Sequence, residues 1–260
     1  MKKSLDHTER NRKIIAGLLV AAVILTAVIV VSVRHRNKLR QEEERVNRGI
    51  EYLTELEEQD MQGISEDIKT IRDERVMNLA DSDESSIWRE FDGALILGDS
   101  RAVGFSYYEL LPQEQVLAQS GERITDIDAE IEQIKELAPD RIFLCFGLND
   151  VGTGVWPSKE EYAAACDERI QLLQREVPDA QVYLNSILPV TGAGLGQDPN
   201  YQRIGEFNES LQTMCAEKGY HYIDNTEMAN AHLDLYQEDG LHVGKEFYKY
   251  WAANMLTEVE

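Results

Sequence analysis

Activating a serine takes a base, a group that orients the base, and hydrogen-bond donors for the oxyanion. Ser100 follows Leu95-Ile-Leu-Gly98-Asp99, the pattern of a strand buried on both faces that stops at a glycine. Of the five histidines, His7 and His35 lie outside the expected folded domain, His221 falls in a strand pattern, and His232 has no neighbouring signal. His242 belongs to Asp239-Gly240-Leu241-His242. There Gly240 lets the chain fold back, so that the carboxylate accepts from Nδ1–H and Nε2 is left for the serine proton. Candidate donors stand at the ends of two other apolar runs. One run leads into Gly147-Leu148-Asn149-Asp150, where the Asn149 carboxamide can donate. The other leads to Ser120-Gly121, where the missing side chain lets a backbone N–H approach a reacting oxygen. A donor of this kind is worth about 10²- to 10³-fold in rate. Each feature also reads as ordinary turn chemistry: Gly98–Ser100 as a helix N-cap, Asp239 as a turn aspartate beside a surface histidine, Gly121 and Asn149 as strand-ending residues.

The elements that must position these residues follow from periodicity. Apolar runs at Ala94–Leu97, Gln115–Ala118, Arg141–Phe146, Gln181–Ser186 and His221–Ile223 predict five strands. Helices are predicted between them. Ile124–Leu137 places Ile124, Ile127, Ile131 and Ile134 on one face before Pro139. Ser158–Glu176 opens with the capping box Ser158-Lys-Glu-Glu161 and ends before Pro178. Ile204–Lys218 stops at Gly219, and a last helix is predicted from Lys245 to about Thr257. Strand and helix alternating at this spacing means βαβ units, a parallel sheet and helices on both its faces. Pro189–Tyr201, PVTGAGLGQDPNY, reads as irregular: a lid or a surface excursion, its glycines lacking the order of a phosphate-binding turn.

Gly-Asp-Ser after strand one, a glycine after strand two, Gly-x-Asn-Asp after strand three and Asp-x-x-His before the last helix stand in one order. In that order the segment from 92 to 257 resembles the SGNH/GDSL hydrolase family. The resemblance implies an α/β fold, a three-layer α/β/α sandwich around a mainly parallel five-stranded sheet. It implies Ser100 as nucleophile, His242 as base and Asp239 as its orienter, with oxyanion donors from the Ser100 N–H, the Gly121 N–H and the Asn149 side chain. The tail DGLHVGKEFYKYWA is similar to the family's closing block, an aromatic helix under the histidine turn. The Leu of the GDSL signature is Arg101 here, which makes Arg101 a candidate substrate contact near the pocket mouth. Asp150 is a second candidate contact, and equally a brace for its loop. The implied activity is a serine esterase removing acyl groups, acetyl above all, from a carbohydrate or cell-envelope polymer, with no cofactor or metal. A lipid esterase, lysophospholipase or thioesterase is the near alternative. An acyl transferase would use the same serine, and a non-catalytic membrane-anchored scaffold is the reading from another class.

The 260 residues are 43% hydrophobic and 28% charged, as in an ordinary globular protein, but the net charge is −22. It is distributed unevenly: the first forty residues hold nine Lys or Arg against two acids, and the rest carry 17 basic against 46 acidic side chains. A body so acidic lacks the basic footprint that nucleic acids or anionic membrane surfaces require. Cys145, Cys166 and Cys215 are isolated, odd in number and without metal-ligand spacing, so they read as buried thiols.

Ile14–Val33 runs for twenty residues without a charge, enough at about 1.5 Å per residue to span a roughly 30 Å hydrocarbon core. It ends in Val-Val-Ser-Val-Arg-His-Arg rather than a small-residue cleavage site, so an uncleaved anchor is expected. Flanking charge does not orient it, but the family resemblance implies residues 1–13 as a short basic cytoplasmic tail and the enzyme domain outside. Residues 34–86 read as a helical stalk or linker, with Leu39, Val46, Ile50, Leu53 and Leu56 at threes, fours and sevens. Such a stalk offers self-association or a membrane partner; a solvated spacer fits equally. Asp81–Ser86 reads as a flexible joint before a hydrolase domain at 87–260.

Overall fold

A five-stranded sheet frames the computed structural model, which describes residues 84–259 and, before them, positions 40, 70, 71, 74 and 78. The chain divides into residues 1–69 and 70–260, and the second unit is the one described below. The expected membrane span and most of the stalk lie outside the described residues. Among the described residues no helix is long and apolar enough to cross a membrane.

In chain order the helices and strands are α1 (Glu84–Arg89), β1 (Ala94–Gly98), α2 (Gly104–Tyr107), β2 (Val116–Ala118), α3 (Ile127–Leu137), β3 (Arg141–Cys145) and α4 (Leu148–Gly152). There follow α5 (Lys159–Glu176), β4 (Gln181–Asn185), α6 (Gly192–Leu195), α7 (Ile204–Lys218), β5 (His221–Ile223), α8 (Thr226–Ala231) and α9 (Phe247–Leu256). The strands pair in parallel in the order β2-β1-β3-β4-β5. This order reverses direction between β1 and β3, and in open α/β sheets ligands collect outside the carboxyl ends of the strands at such a switch point. Ser100 follows β1 and Asn149 follows β3.

Both faces of the sheet are buried, because the strand period of two feeds two cores. Leu95 and Leu97 join Ile142, Leu144, Val182 and Leu184 in a core covered by α3, α5 and α7. Ala94 and Ile96 join Phe143, Cys145, Tyr183 and Ile223 in a second core closed by α1, α2, α8 and α9. The expected parallel sheet between two helical layers is therefore present. All three cysteines are free and buried.

Several boundaries differ from expectation for local reasons. The expected joint Asp81–Ser86 overlaps a helix: Glu84–Ser86 belong to α1, which brings Ile87 and the following Phe91 into the core at 1% and 0% exposure. The helix expected from Ile124 opens with a 3-10 turn, Ile124–Asp126, in which the Asp126 carboxylate accepts the Arg123 N–H at 2.8 Å. Ser158 does cap α5, accepting the Glu161 N–H at 3.2 Å. Pro189–Tyr201 is less irregular than its composition suggests, since it holds α6 and the start of a 3-10 segment, Pro199–Arg203. The last helix starts at Phe247 rather than Lys245, after a turn in which the Phe247 N–H donates to the Gly244 carbonyl at 3.1 Å.

Candidate active site

The turn that carries Ser100 is built around the two residues flanking it. Gly98 lets β1 lie against β3, since a Cβ there would meet the Cys145 carbonyl oxygen at 2.6 Å. Asp99, 1% exposed, receives the Arg101 N–H at 3.0 Å on one carboxylate oxygen and the Leu148 N–H at 2.9 Å on the other. It thereby fastens the turn after β1 to the turn after β3. Burial pushes its carboxyl up, against the lowering effect of the Arg101 guanidinium and these amides. Ser100 is left half-buried between them.

His242 reaches Ser100 from 142 residues along the chain, with Nε2 2.9 Å from Oγ. Its Nδ1 lies 2.6 Å from Asp239 Oδ2, while Asp239 Oδ1 accepts the backbone N–H groups of Leu241 and His242, each at 2.9 Å. The fold-back needs Gly240, whose φ is +69°. Burial works against the Asp239 carboxylate, but the His242 ring and the two amides outweigh it and hold the carboxyl below its ordinary range. The turn is closed at its base by a Tyr236–Val243 bridge, with the Gln237 N–H donating to the His242 carbonyl at 2.8 Å. The Phe247 ring of α9 packs edge-on against Tyr236 at 5.5 Å, as the expected closing block requires.

The two expected donor loops also meet. Gly147 takes φ +126°, and a Cβ on it would run into the Ile187 side chain, so glycine alone fits at the start of α4. Asn149 Nδ2 donates to the Glu122 carbonyl at 2.9 Å, next to Gly121 (φ +92°). One carboxamide hydrogen is thus committed to holding the loop, and the second remains for a ligand. The N–H groups of Ser100 and Gly121 enter none of the protein hydrogen bonds among the described residues.

Arg101 and Asp150 are not where a substrate contact is needed. Arg101 is 3% exposed and turns inward, its Nη1 donating to the Leu188 carbonyl at 2.8 Å. Its own carbonyl accepts from the Tyr248 hydroxyl at 2.7 Å, so the residue fastens the Ser100 turn to the segment after β4 and to α9. Asp150 is fully buried and accepts the Ile124 N–H at 3.2 Å and the Trp156 Nε1–H at 2.9 Å. Together with Asn149 it grips the segment after β2 at two points, so the brace is the reading that survives. Burial pushes its carboxyl up to about 7, despite the hydrogen bonds from Trp156 and Ile124.

Gln197 went unnoticed in the sequence. Its Nε2 donates to the Asp239 carbonyl at 2.5 Å, and the Thr191 N–H donates to the Gly240 carbonyl at 2.9 Å. A Cβ on Gly240 would collide with Thr191 Oγ1 and the Gly194 nitrogen. The glycine-rich segment is therefore a clamp on the Asp239–His242 turn, neither a lid nor an excursion. Its glycines are the available signal: they allow backbone to approach backbone.

A serine, imidazole and carboxylate in line, with unengaged donors at the ends of three neighbouring parallel strands, are the parts from which an acyl-group hydrolase can be built. The chain belongs to the GDSL-like lipase/acylhydrolase family, whose model matches residues 96–250, and it is an ester-hydrolysing enzyme of that family. Solved structures agree on the fold. A GDSL-like lipase from Bacteroides thetaiotaomicron is similar with a TM-score of 0.53 and 16% identity, over 63% of this chain and 85% of that one. The lipase/acylhydrolase from Enterococcus faecalis gives 0.51 and 19% identity over 64% and 94%. A carbohydrate esterase family 3 protein from Talaromyces cellulolyticus gives 0.50 and 16% over 64% and 95%. No curated protein sequence matches the chain.

Proposed function

We propose that this enzyme is a serine esterase that removes O-acyl groups, chiefly O-acetyl, from a carbohydrate or cell-envelope polymer. The observation that carries the reading is the 2.9 Å approach of His242 Nε2 to Ser100 Oγ, with Nδ1 held by Asp239. Ser100 Oγ attacks the ester carbonyl as His242 takes its proton, and Asp239 stabilises the imidazolium. The tetrahedral oxyanion is received by the N–H groups of Ser100 and Gly121 and by the second hydrogen of Asn149 Nδ2. His242 returns the proton to the leaving alcohol. Water, deprotonated by the same imidazole, then clears the acyl-enzyme and restores Ser100.

The preference for a carbohydrate ester is supported by the similarity to a carbohydrate esterase. Ile14–Val33 anchors the chain, with residues 1–13 in the cytoplasm and the enzyme domain on the outer side, where an envelope polymer would meet it. The test is hydrolysis by the full-length chain of acetylated oligosaccharides and of aryl esters graded in acyl length. Acetate is expected to be preferred, with Ser100→Ala and His242→Ala each losing about 10⁴-fold or more. Equal activity in Ser100→Ala overturns the mechanism. A preference for long acyl chains overturns the substrate in favour of a lipid.

A further inference from the structure

Beside the glycine-rich clamp, lined in part by its own Val190 and Leu195, lies a groove of about 640 Å³. Small-molecule sites commonly fall in the range of roughly 300–1,000 Å³. Tyr201, Tyr222 and Leu195 give it apolar surface, while Gln202, Gln212 and Asp224 give it hydrogen-bonding groups, and no Lys or Arg lines it. Those features together select a ligand. An anion would meet carboxylates with no cation to receive it. An acyl tail would leave the carboxamides and carboxylates without partners. A neutral sugar chain offers what the lining asks for: C–H faces for aromatic rings and hydroxyls that both donate and accept.

The floor of the groove carries an independent sign. Gly205 lies in the first turn of α7 and lines the groove. It has no left-handed φ to require it, and a Cβ built there would meet nothing within 4 Å. Neither conformation nor packing demands a glycine. A side chain much larger than methyl at this position would enter the groove.

The wall of the groove is also the wall of the active site. Val190 and Leu195 line the groove, and between them Thr191 and Gly194 hold Gly240. At the other end, a Cβ on Gly152 would meet the Tyr201 hydroxyl at 2.6 Å, so Tyr201 sits directly on α4, the helix that carries Asn149.

We propose that this groove is a second binding site, taking unmodified sugar units of the polymer whose ester is cleaved at Ser100. The proposal rests on the carbohydrate-esterase reading, but its binding site is tested without turnover. Full-length Ser100→Ala protein is titrated calorimetrically with unacetylated β-1,4-linked tetrasaccharides of glucose, xylose and N-acetylglucosamine. At least one is expected to bind. Adding Gly205→Trp, or the smaller Gly205→Leu, is expected to weaken it about tenfold or more, while Gly205→Ala binds like the parent. Binding by none of the three, or unaltered binding in folded Gly205→Trp and Gly205→Leu, overturns the proposal.

In the enzyme with Ser100 intact, the readout is the ratio of kcat/KM on an acetylated tetrasaccharide to that on an aryl acetate. Gly205→Trp is expected to lower this ratio about tenfold through KM, and an equally bulky Ala129→Trp on the exposed face of α3 to hold it. A ratio that falls alike in both variants overturns the proposal. Sugar binding lost in Gly205→Trp, in an enzyme that cleaves no acetylated glycan, upholds the groove and overturns the esterase reading alone.

Discussion

Two carboxylates of the candidate site are pushed in opposite directions, and each makes a prediction. Asp239 is held low by the His242 ring and two amides, so its contribution is present above the ordinary carboxylate range and is lost as pH falls through its folded value. Asp239→Ala is expected to lower kcat by about 10²- to 10⁴-fold, less than Ser100→Ala or His242→Ala, as steady-state kinetics on an aryl acetate would show. Asp150 is the reverse case. With its carboxyl pushed up to about 7, the folded chain binds a proton that the unfolded chain has released, so stability falls as pH rises from the ordinary carboxylate range through about 7. Asp150→Asn removes the titration. Urea denaturation at several pH values is expected to give a flatter stability profile for the variant over that window, whatever its offset from the lost Ile124 or Trp156 bond. A parallel offset at every pH would contradict the assignment.

At the scale of elements, the clamp on the Asp239–His242 turn is the part with the most to lose from a small change. Gln197→Ala removes one exposed hydrogen bond, worth about 0.5–1.5 kcal/mol, and is expected to lower kcat by at most about 12-fold and the melting temperature by no more than a few degrees. Gln197→Glu is not expected to rescue, because the Asp239 carbonyl needs a donor. What was legible in the sequence follows the range of the interaction. The sheet and the long helices are written in local periodicity, and Asp239 and His242 are three residues apart. Asp99 and Arg101 were not legible in the same way: their partners Leu148 and Leu188 lie 49 and 87 residues on, and no local pattern records such a bond. Arg101 replaces an apolar signature residue, and charge alone suggested a pocket mouth; its guanidinium is satisfied by backbone carbonyls inside the fold. Composition misled at Pro189–Tyr201 too, because glycines that permit close backbone contact look the same in sequence as glycines that permit disorder.

For the whole molecule, charge is divided sharply near residue 40, and the proposed anchor lies on the basic side of that division. If Ile14–Val33 is the anchor proposed above, the full-length chain is expected in the membrane pellet and a form lacking residues 1–33 in the soluble fraction, with kcat on an aryl acetate within about twofold. Recovery of the deleted form in the pellet would remove the anchor. The acidic body, at −29 beyond residue 40, also disfavours polyanionic substrates more strongly at low ionic strength. The order of the site along the chain has a further consequence. Ser100, Gly121 and Asn149 are synthesised before β4, β5 and the clamp, whereas Asp239 and His242 follow every strand of the sheet. A growing chain therefore carries the proposed nucleophile and donor loops without the proposed base, and the site is complete only when the final turn has docked.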